Sequence, residues 1–199
     1  MLSYSDERTE FIRICQRAFS LGMQFSSGGN LSLKLEGDTY LVKPSGFSLF
    51  DLDARQLLLT DKTGRVMSGK GNPTKEFASH VAIYETRVEI RAIVHYHPAC
   101  ATAFAVCNRT IPLLTVHAKR ILKSLPLVPA GPEGGLQLST SLKEIFAVPN
   151  VRGAVMSEHG IIAVGQNLKD AQNVAELIEE SARIALLSSL VLLAEQKSG

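Results

Sequence analysis

Several features that would announce a function are scarce in this chain. There is no run of Lys or Arg: 21 basic residues are scattered among 19 acidic ones and the net charge is only +2, which argues against a nucleic-acid partner. Cysteine is rare. Cys15, Cys100 and Cys107 are odd in number, lie in apolar stretches and lack CxxC spacing, so they read as reduced core thiols and point to the cytoplasm. The opening residues MLSYSDERTE lack the charged and then apolar pattern of a signal peptide, and the longest apolar run, IALLSSLVLLA, is too short to span a bilayer. A soluble protein without a membrane partner is expected. Internal repeats and low-complexity linkers are also missing.

What remains is a chain of 199 residues, 45% hydrophobic, which suits one domain over residues 1–199 with a substantial core. Phe11, Ile14, Cys15, Ala18 and Phe19 recur at helical spacing between Ser5 and Met23, and SSGGN ends the pattern. Alternation in LSLKL and TYLVK around EGD predicts a hairpin from Leu31 to Lys43, and LLLTD and RVMSG predict a second around the turn at Lys62 to Gly64. Pro73 and Thr74 open a helix whose face carries Phe77, Val81, Tyr84 and Val88, which puts Glu76 in its first turn. EIRAIVHYH reads as a strand, Pro98 to Val106 as a helix, and IPLLTVH as a short strand or loop. Ser124 to Gly135, with three prolines, reads as an ordered loop or lid. GAVMSEHGIIAVG gives two strands about a turn at Glu158 to Gly160, and Asn167 caps a last helix that runs to about Glu195. The short hairpin connections favour a largely antiparallel sheet over a Rossmann arrangement.

Two of the five histidines fall in IVHYHP. On a strand, His95 and His97 project to one face with Tyr96 on the other, a geometry that suits chelation and equally suits two satisfied core histidines. The pair alone leaves both readings open. His159 at a strand turn and Glu76 at a helix start complete a set of three nitrogens and a carboxylate of the kind that holds Zn²⁺.

SSGGNLS, KPSG, PTKE followed by His80 and Tyr84, HYHP, and SEHG occur in the order and approximate spacing of the class II aldolase/adducin family, which the chain resembles from Phe11 to its last helix. The resemblance implies a three-layer α/β/α fold with a central, mostly antiparallel sheet, and a cyclic homotetramer with active sites between subunits. It implies that His95, His97 and His159 bind one divalent ion per subunit, with Zn²⁺ expected. Glu76 matches the acid/base, which also ligates the resting metal. A divalent ion stabilises the enediolate left by cleavage next to a carbonyl, and a nearby carboxylate moves the proton at carbon. Without the other motifs, Glu76 would read as a glutamate favoured by the helix dipole.

Gly29, Asn30, Ser45, Gly46, Thr74 and Lys75 form a second group. Gly29 and Gly46 let backbone approach an anion, Asn30 and Ser45 offer polar side chains, and Thr74 lies near a helix N-terminus. Each alone is ordinary turn chemistry; together they match family positions that hold a substrate phosphate. Lys75 departs from the serine of the sugar-phosphate aldolases and resembles the branch that decarboxylates phosphorylated oxo acids, although a solvated helix charge explains it equally well. Val116 stands roughly where an aldolase of the family carries a catalytic tyrosine, with His117 beside it, and the longer C-terminal tail of that enzyme has no counterpart. His80, one turn after Glu76, reads as a packing or hydrogen-bonding residue.

The expected activity is a divalent-metal-dependent aldolase acting on a small phosphorylated ketose or related hydroxycarbonyl compound. A decarboxylase of a phosphorylated oxo acid is the alternative, then an epimerase or dehydratase. A non-enzymatic adducin-like module comes last, because a scaffold has no use for a retained ligand set. Ile184 to Leu193 carry more apolar surface than one helical stripe uses, so burial by neighbouring subunits is expected.

Overall fold

A computed structural model describes residues 4–196. In chain order the elements are α1 (Ser5–Ser20), β1 (Asn30–Lys34), β2 (Thr39–Val42), β3 (Leu58–Asp61), β4 (Val66–Ser68), α2 (Phe77–Tyr84), β5 (Ala92–Tyr96), α3 (Ala99–Val106), α4 (Val116–Leu122), β6 (Leu127–Val128), α5 (Leu136–Ala147), β7 (Gly153–Met156), β8 (Gly160–Gly165) and α6 (Leu168–Gln196). The strands form one sheet in the order β4-β3-β2-β1-β5-β8-β7-β6. Every pairing is antiparallel except β6 with β7.

Strand alternation divides the apolar residues between two cores, which makes three layers. Leu41, Val94, Tyr96, Ile161 and Ala163 face α1, α3, α4 and α6, whereas Tyr40, Val42, Ile93, Ile162 and Val164 face α2 and α5. β5 is central and buried along its whole length. Its register sets Asn30 of β1 opposite His95 and Ile162 of β8 opposite the same histidine.

The predicted hairpins, α1, α3 and the two strands around His159 are present. Asn167 caps α6 as expected: its Oδ1 accepts from the Asp170 N–H at 2.8 Å. Several expectations need correction. The segment after Pro73 first bridges Pro44, so α2 starts only at Phe77, Glu76 occupies its N-cap rather than its first turn, and Val88 lies beyond the helix, 95% exposed. IPLLTVH contains no strand; Thr115 Oγ1 accepts from the Ala118 N–H at 3.1 Å and starts α4, which takes in Val116 and His117. α5 matches no sequence expectation, and the lid segment contributes the two-residue β6. Of the three thiols only Cys15 is a core residue, while Cys100 is half-buried and Cys107 exposed.

α6 changes character along its length. Through Ala185 it is packed on the sheet, but Leu186, Leu187, Leu190, Val191, Leu192 and Leu193 are exposed. Among the described residues no helix is long and apolar enough to cross a membrane.

Candidate functional site

His95 is the last residue of β5 paired with β1, and its Nδ1–H donates to the Ile161 carbonyl at 2.8 Å. A carbonyl only accepts, so this bond fixes the tautomer and leaves Nε2 with a free lone pair. His97, just past the strand, brings its Nε2 to 2.9 Å from that atom. His159 enters from the β7–β8 turn, and potential ligand atoms of the three rings lie within 4.8 Å of one another. Gly160 makes this approach possible: a Cβ there would collide with the Tyr96 carbonyl and stand 2.6 Å from His97 Cδ2.

Glu76 reaches the cluster from the N-cap of α2. Its Oε2 lies 3.4 Å from His95 Nε2 and its Oε1 3.8 Å from His159 Nδ1. Two ligands of a tetrahedral Zn²⁺, each about 2.1 Å from the ion, stand roughly 3.4 Å apart. Asn30 Nδ2 donates to Glu76 Oε2 at 2.6 Å, which aims the carboxylate. Burial, joined by the neighbouring histidines, pushes the pKa of His95 and of His97 down to about 3. Both imidazoles are therefore neutral near pH 7, the form a metal requires. The donor set fits a borderline-soft divalent ion, with His95, His97 and His159 able to hold it and Glu76 within reach.

Every residue expected at the phosphate site is at hand. Gly29, Asn30, Ser45, Gly46, Thr74 and Lys75 line one cavity of about 230 Å³ together with Glu76, His97 and His159. Gly29 has φ +63° and a Cβ there would sit 2.9 Å from the His95 carbonyl, so only glycine fits without strain. Gly46, at φ +82°, faces open space. The Ser45 N–H is engaged with the Asn72 carbonyl, which leaves its hydroxyl. Thr74 Oγ1 accepts from the Glu76 N–H at 3.3 Å and retains its own proton.

Val116 is exposed, and His117 pairs with Arg120 along a separate groove beside α6. Neither lines the cavity. His80 is buried behind Glu76, its Nδ1 2.8 Å from Ser32 Oγ, and desolvation depresses it to about 4.

Sequence reasoning passed over three residues here. Lys43 is 2% exposed, donates to the Ser27 carbonyl at 3.2 Å and lines the cavity; burial lowers its pKa. A lysine directly after the buried run Tyr40 to Val42 was the available signal. Gln24 accepts from the His97 N–H at 2.9 Å and donates to the Phe25 carbonyl at 2.8 Å, tying the SSGGN loop to the cluster; no pattern in the sequence marks it. Glu133, at a Pro-Glu-Gly-Gly turn, places Oε1 3.7 Å from His159 Nε2.

Known proteins resemble this chain in sequence and fold. The chain is 34% identical over 185 residues to the L-fuculose phosphate aldolase of Methanocaldococcus jannaschii, covering 93% of this chain and 98% of that protein. It is 30% identical over 185 residues to the 3-oxo-tetronate 4-phosphate decarboxylase of Escherichia coli (strain K12), with coverage of 90% and 86%. A solved structure of L-fuculose 1-phosphate aldolase superposes with a TM-score of 0.86 at 28% identity, over 96% of this chain and 89% of that one. The family model for the class II aldolase and adducin N-terminal domain matches residues 9–186, and the chain belongs to that family.

Proposed function

We propose that this protein is a zinc-dependent lyase that breaks the carbon–carbon bond next to the carbonyl of a small phosphorylated hydroxyketone, with aldol cleavage as its main reaction. The observation that carries the reading is the convergence of His95, His97 and His159 beside Glu76, at the end of a cavity lined by Gly29, Ser45, Gly46, Thr74 and Lys75. His95, His97 and His159 would hold a divalent ion, with Glu76 within reach as a fourth partner, and that ion would supply Lewis-acid stabilisation of negative charge on the substrate oxygens.

The chain's own groups do the rest. Lys43, with the Ser45 and Thr74 hydroxyls, neutralises and grips the phosphate, while Gly29 and Gly46 let backbone close on it. Asn30 steers Glu76 by the 2.6 Å hydrogen bond, and its buried Oδ1 has no partner among the described residues. That orphan acceptor suits a substrate hydroxyl. Glu76 delivers the proton to carbon after the bond breaks. The exposed leucines of α6 are covered by further copies of the chain in a cytoplasmic homotetramer.

Decarboxylation is the second reading, favoured by Lys75 at the cavity, whose ammonium suits an acid substrate. The two readings converge chemically. Splitting L-fuculose 1-phosphate between C3 and C4 and decarboxylating 3-oxo-tetronate 4-phosphate both leave dihydroxyacetone phosphate. The purified protein is therefore expected to contain one zinc per chain, to exchange a carbon-bound proton of dihydroxyacetone phosphate with deuterated solvent, and to cleave L-fuculose 1-phosphate. Metal-free protein that stays apo on zinc titration, or loaded protein that catalyses no exchange, would refute the lyase assignment.

A further inference from the structure

The two reactions differ in one proton. In aldol cleavage the hydroxyl on the departing carbon gives up its proton, its C–O becomes C=O, and the C–C electron pair moves towards the ketone; the carbon left behind then takes up a proton. In decarboxylation the same pair moves the same way, but the departing group is already a carboxylate and leaves as CO₂ without surrendering a proton. A site for aldol cleavage therefore needs a second proton-handling group, on the far side of the breaking bond from Glu76.

We propose that Glu133 is that group: it accepts the substrate's hydroxyl proton across the histidine cluster from Glu76, and so suits the site to aldol cleavage over decarboxylation. The proposal rests on the lyase reading above and adds a catalytic residue to it. Apart from the histidines, the titratable side chains lining the cavity are Lys43, Lys75, Glu76 and Glu133. Glu76 is committed to the His95 side by Asn30. Lys43 is buried at the Ser27 end, and an ammonium has no lone pair with which to accept a proton. Glu133 is the remaining carboxylate.

Its position is built rather than incidental. The Gly135 N–H bonds the Pro132 carbonyl at 2.9 Å, and Gly134 has φ +68°. This is a turn with glycine at its third position, the one that demands a positive φ, and with Glu133 at its second. Any Cβ on Gly134 would run into the Lys75 carbonyl, so the turn is seated on the backbone directly before Glu76. Ser139 Oγ, on the helix that follows, lies 2.9 Å from Ser79 Oγ on α2, locking the two supports together. The result is an imidazole between two carboxylates: His159 Nδ1 is 3.8 Å from Glu76 and its Nε2 is 3.7 Å from Glu133. A carboxylate there receives a hydrogen bond from a hydroxyl and repels a substrate carboxylate in the same place.

The test uses zinc-loaded wild type and Glu133→Gln, assayed for cleavage of L-fuculose 1-phosphate, decarboxylation of 3-oxo-tetronate 4-phosphate, solvent deuterium exchange into dihydroxyacetone phosphate, calorimetric binding of that ketone, and zinc content. Glu133→Gln is expected to slow cleavage by about 100-fold or more and to leave any decarboxylation at least as fast as in wild type, while exchange, binding and zinc content stay within about threefold of wild type. Cleavage by the variant within about threefold of wild type overturns the assignment. So does joint loss of exchange, binding and zinc, which would make Glu133 a support of the metal site. A wild type that decarboxylates without detectable cleavage overturns the role of Glu133 and leaves the lyase reading standing. A wild type with neither reaction and no exchange overturns both.

Discussion

His95 and Glu133 both neighbour His159 and are held in unlike ways. His95 is 1% exposed, on a strand paired on both sides, with its ring pinned to the Ile161 carbonyl. The Glu133 side chain is 65% exposed at the tip of a four-residue turn hung beyond β6. One side of the site is thus an extension of the sheet, where moving a ligand means moving the core. The other is a rim, where a side chain can change without disturbing anything buried. Chemistry common to all substrates belongs on the first, and choice among substrates on the second.

The sharpest way to break this comparison is to cut into the sheet side. His97→Ala is expected to abolish turnover, by about 1,000-fold or more, through loss of zinc while leaving circular dichroism and the unfolding midpoint of the apo protein nearly unchanged. Retained metal and activity would end the assignment of the cluster. Next comes Glu76→Gln, which keeps the shape of the group: turnover should fall by about 100-fold or more with most of the zinc retained, read by steady-state kinetics beside metal analysis.

A third effect concerns pH. The apo protein holds His80 neutral, with a pKa of about 4 against 6.5 unperturbed. Below 6.5 the unfolded chain binds a proton that the native protein refuses, so stability present above that pH is lost as the pH falls towards 4. From this residue alone the free energy of unfolding should drop by about 2 kcal/mol between pH 7 and pH 5. His95 and His97, depressed in the same direction, add to the loss. Urea titrations at the two pH values measure it, and a flat response would mean that these rings are not desolvated. The smallest effect is expected on the rim: Lys75→Ser should change the ratio of activity on acid and sugar phosphates by about five- to tenfold and leave zinc content untouched. Unaltered kinetics on both substrates would return Lys75 to the solvated surface.

The same division explains what could be read from the sequence. His95 and His97 were legible as a pair because strand periodicity puts alternate residues on one face, and the Glu158 to Gly160 turn was legible from its chemistry. That His159 closes on the pair depends on β8 lying beside β5, a long-range pairing that no local pattern encodes; there the family motifs supplied what periodicity lacked. Glu76 came out one element-boundary away from its expected place because Pro73 is bridged to Pro44 and Thr74 to Phe77 make a turn before the helix begins. α5 escaped notice, and its Gly135 start offers no capping side chain. Lys43, with only its place after an apolar run to mark it, and Gln24, with nothing, were missed as site residues for a related reason. Each reads locally as a polar residue beside an apolar segment, and only tertiary packing turns Lys43 to the cavity and Gln24 to the His97 N–H.

The pairing of β5 with β8 also bears on how the chain acquires its activity during synthesis. β1 to β5 are antiparallel neighbours that can associate as they emerge, but β5 is left with an open, apolar edge until residues 160–165 arrive. α6, which covers its α-facing side, comes later still, and Arg17 of α1 waits for Glu176, 159 positions downstream, at 2.6 Å. Such late, non-local closure makes for slow folding and a long exposure of a hydrophobic strand edge. The nascent chain is thus most prone to aggregate after His97 has been made and before Gly165 has, and chaperone dependence should concentrate in that interval.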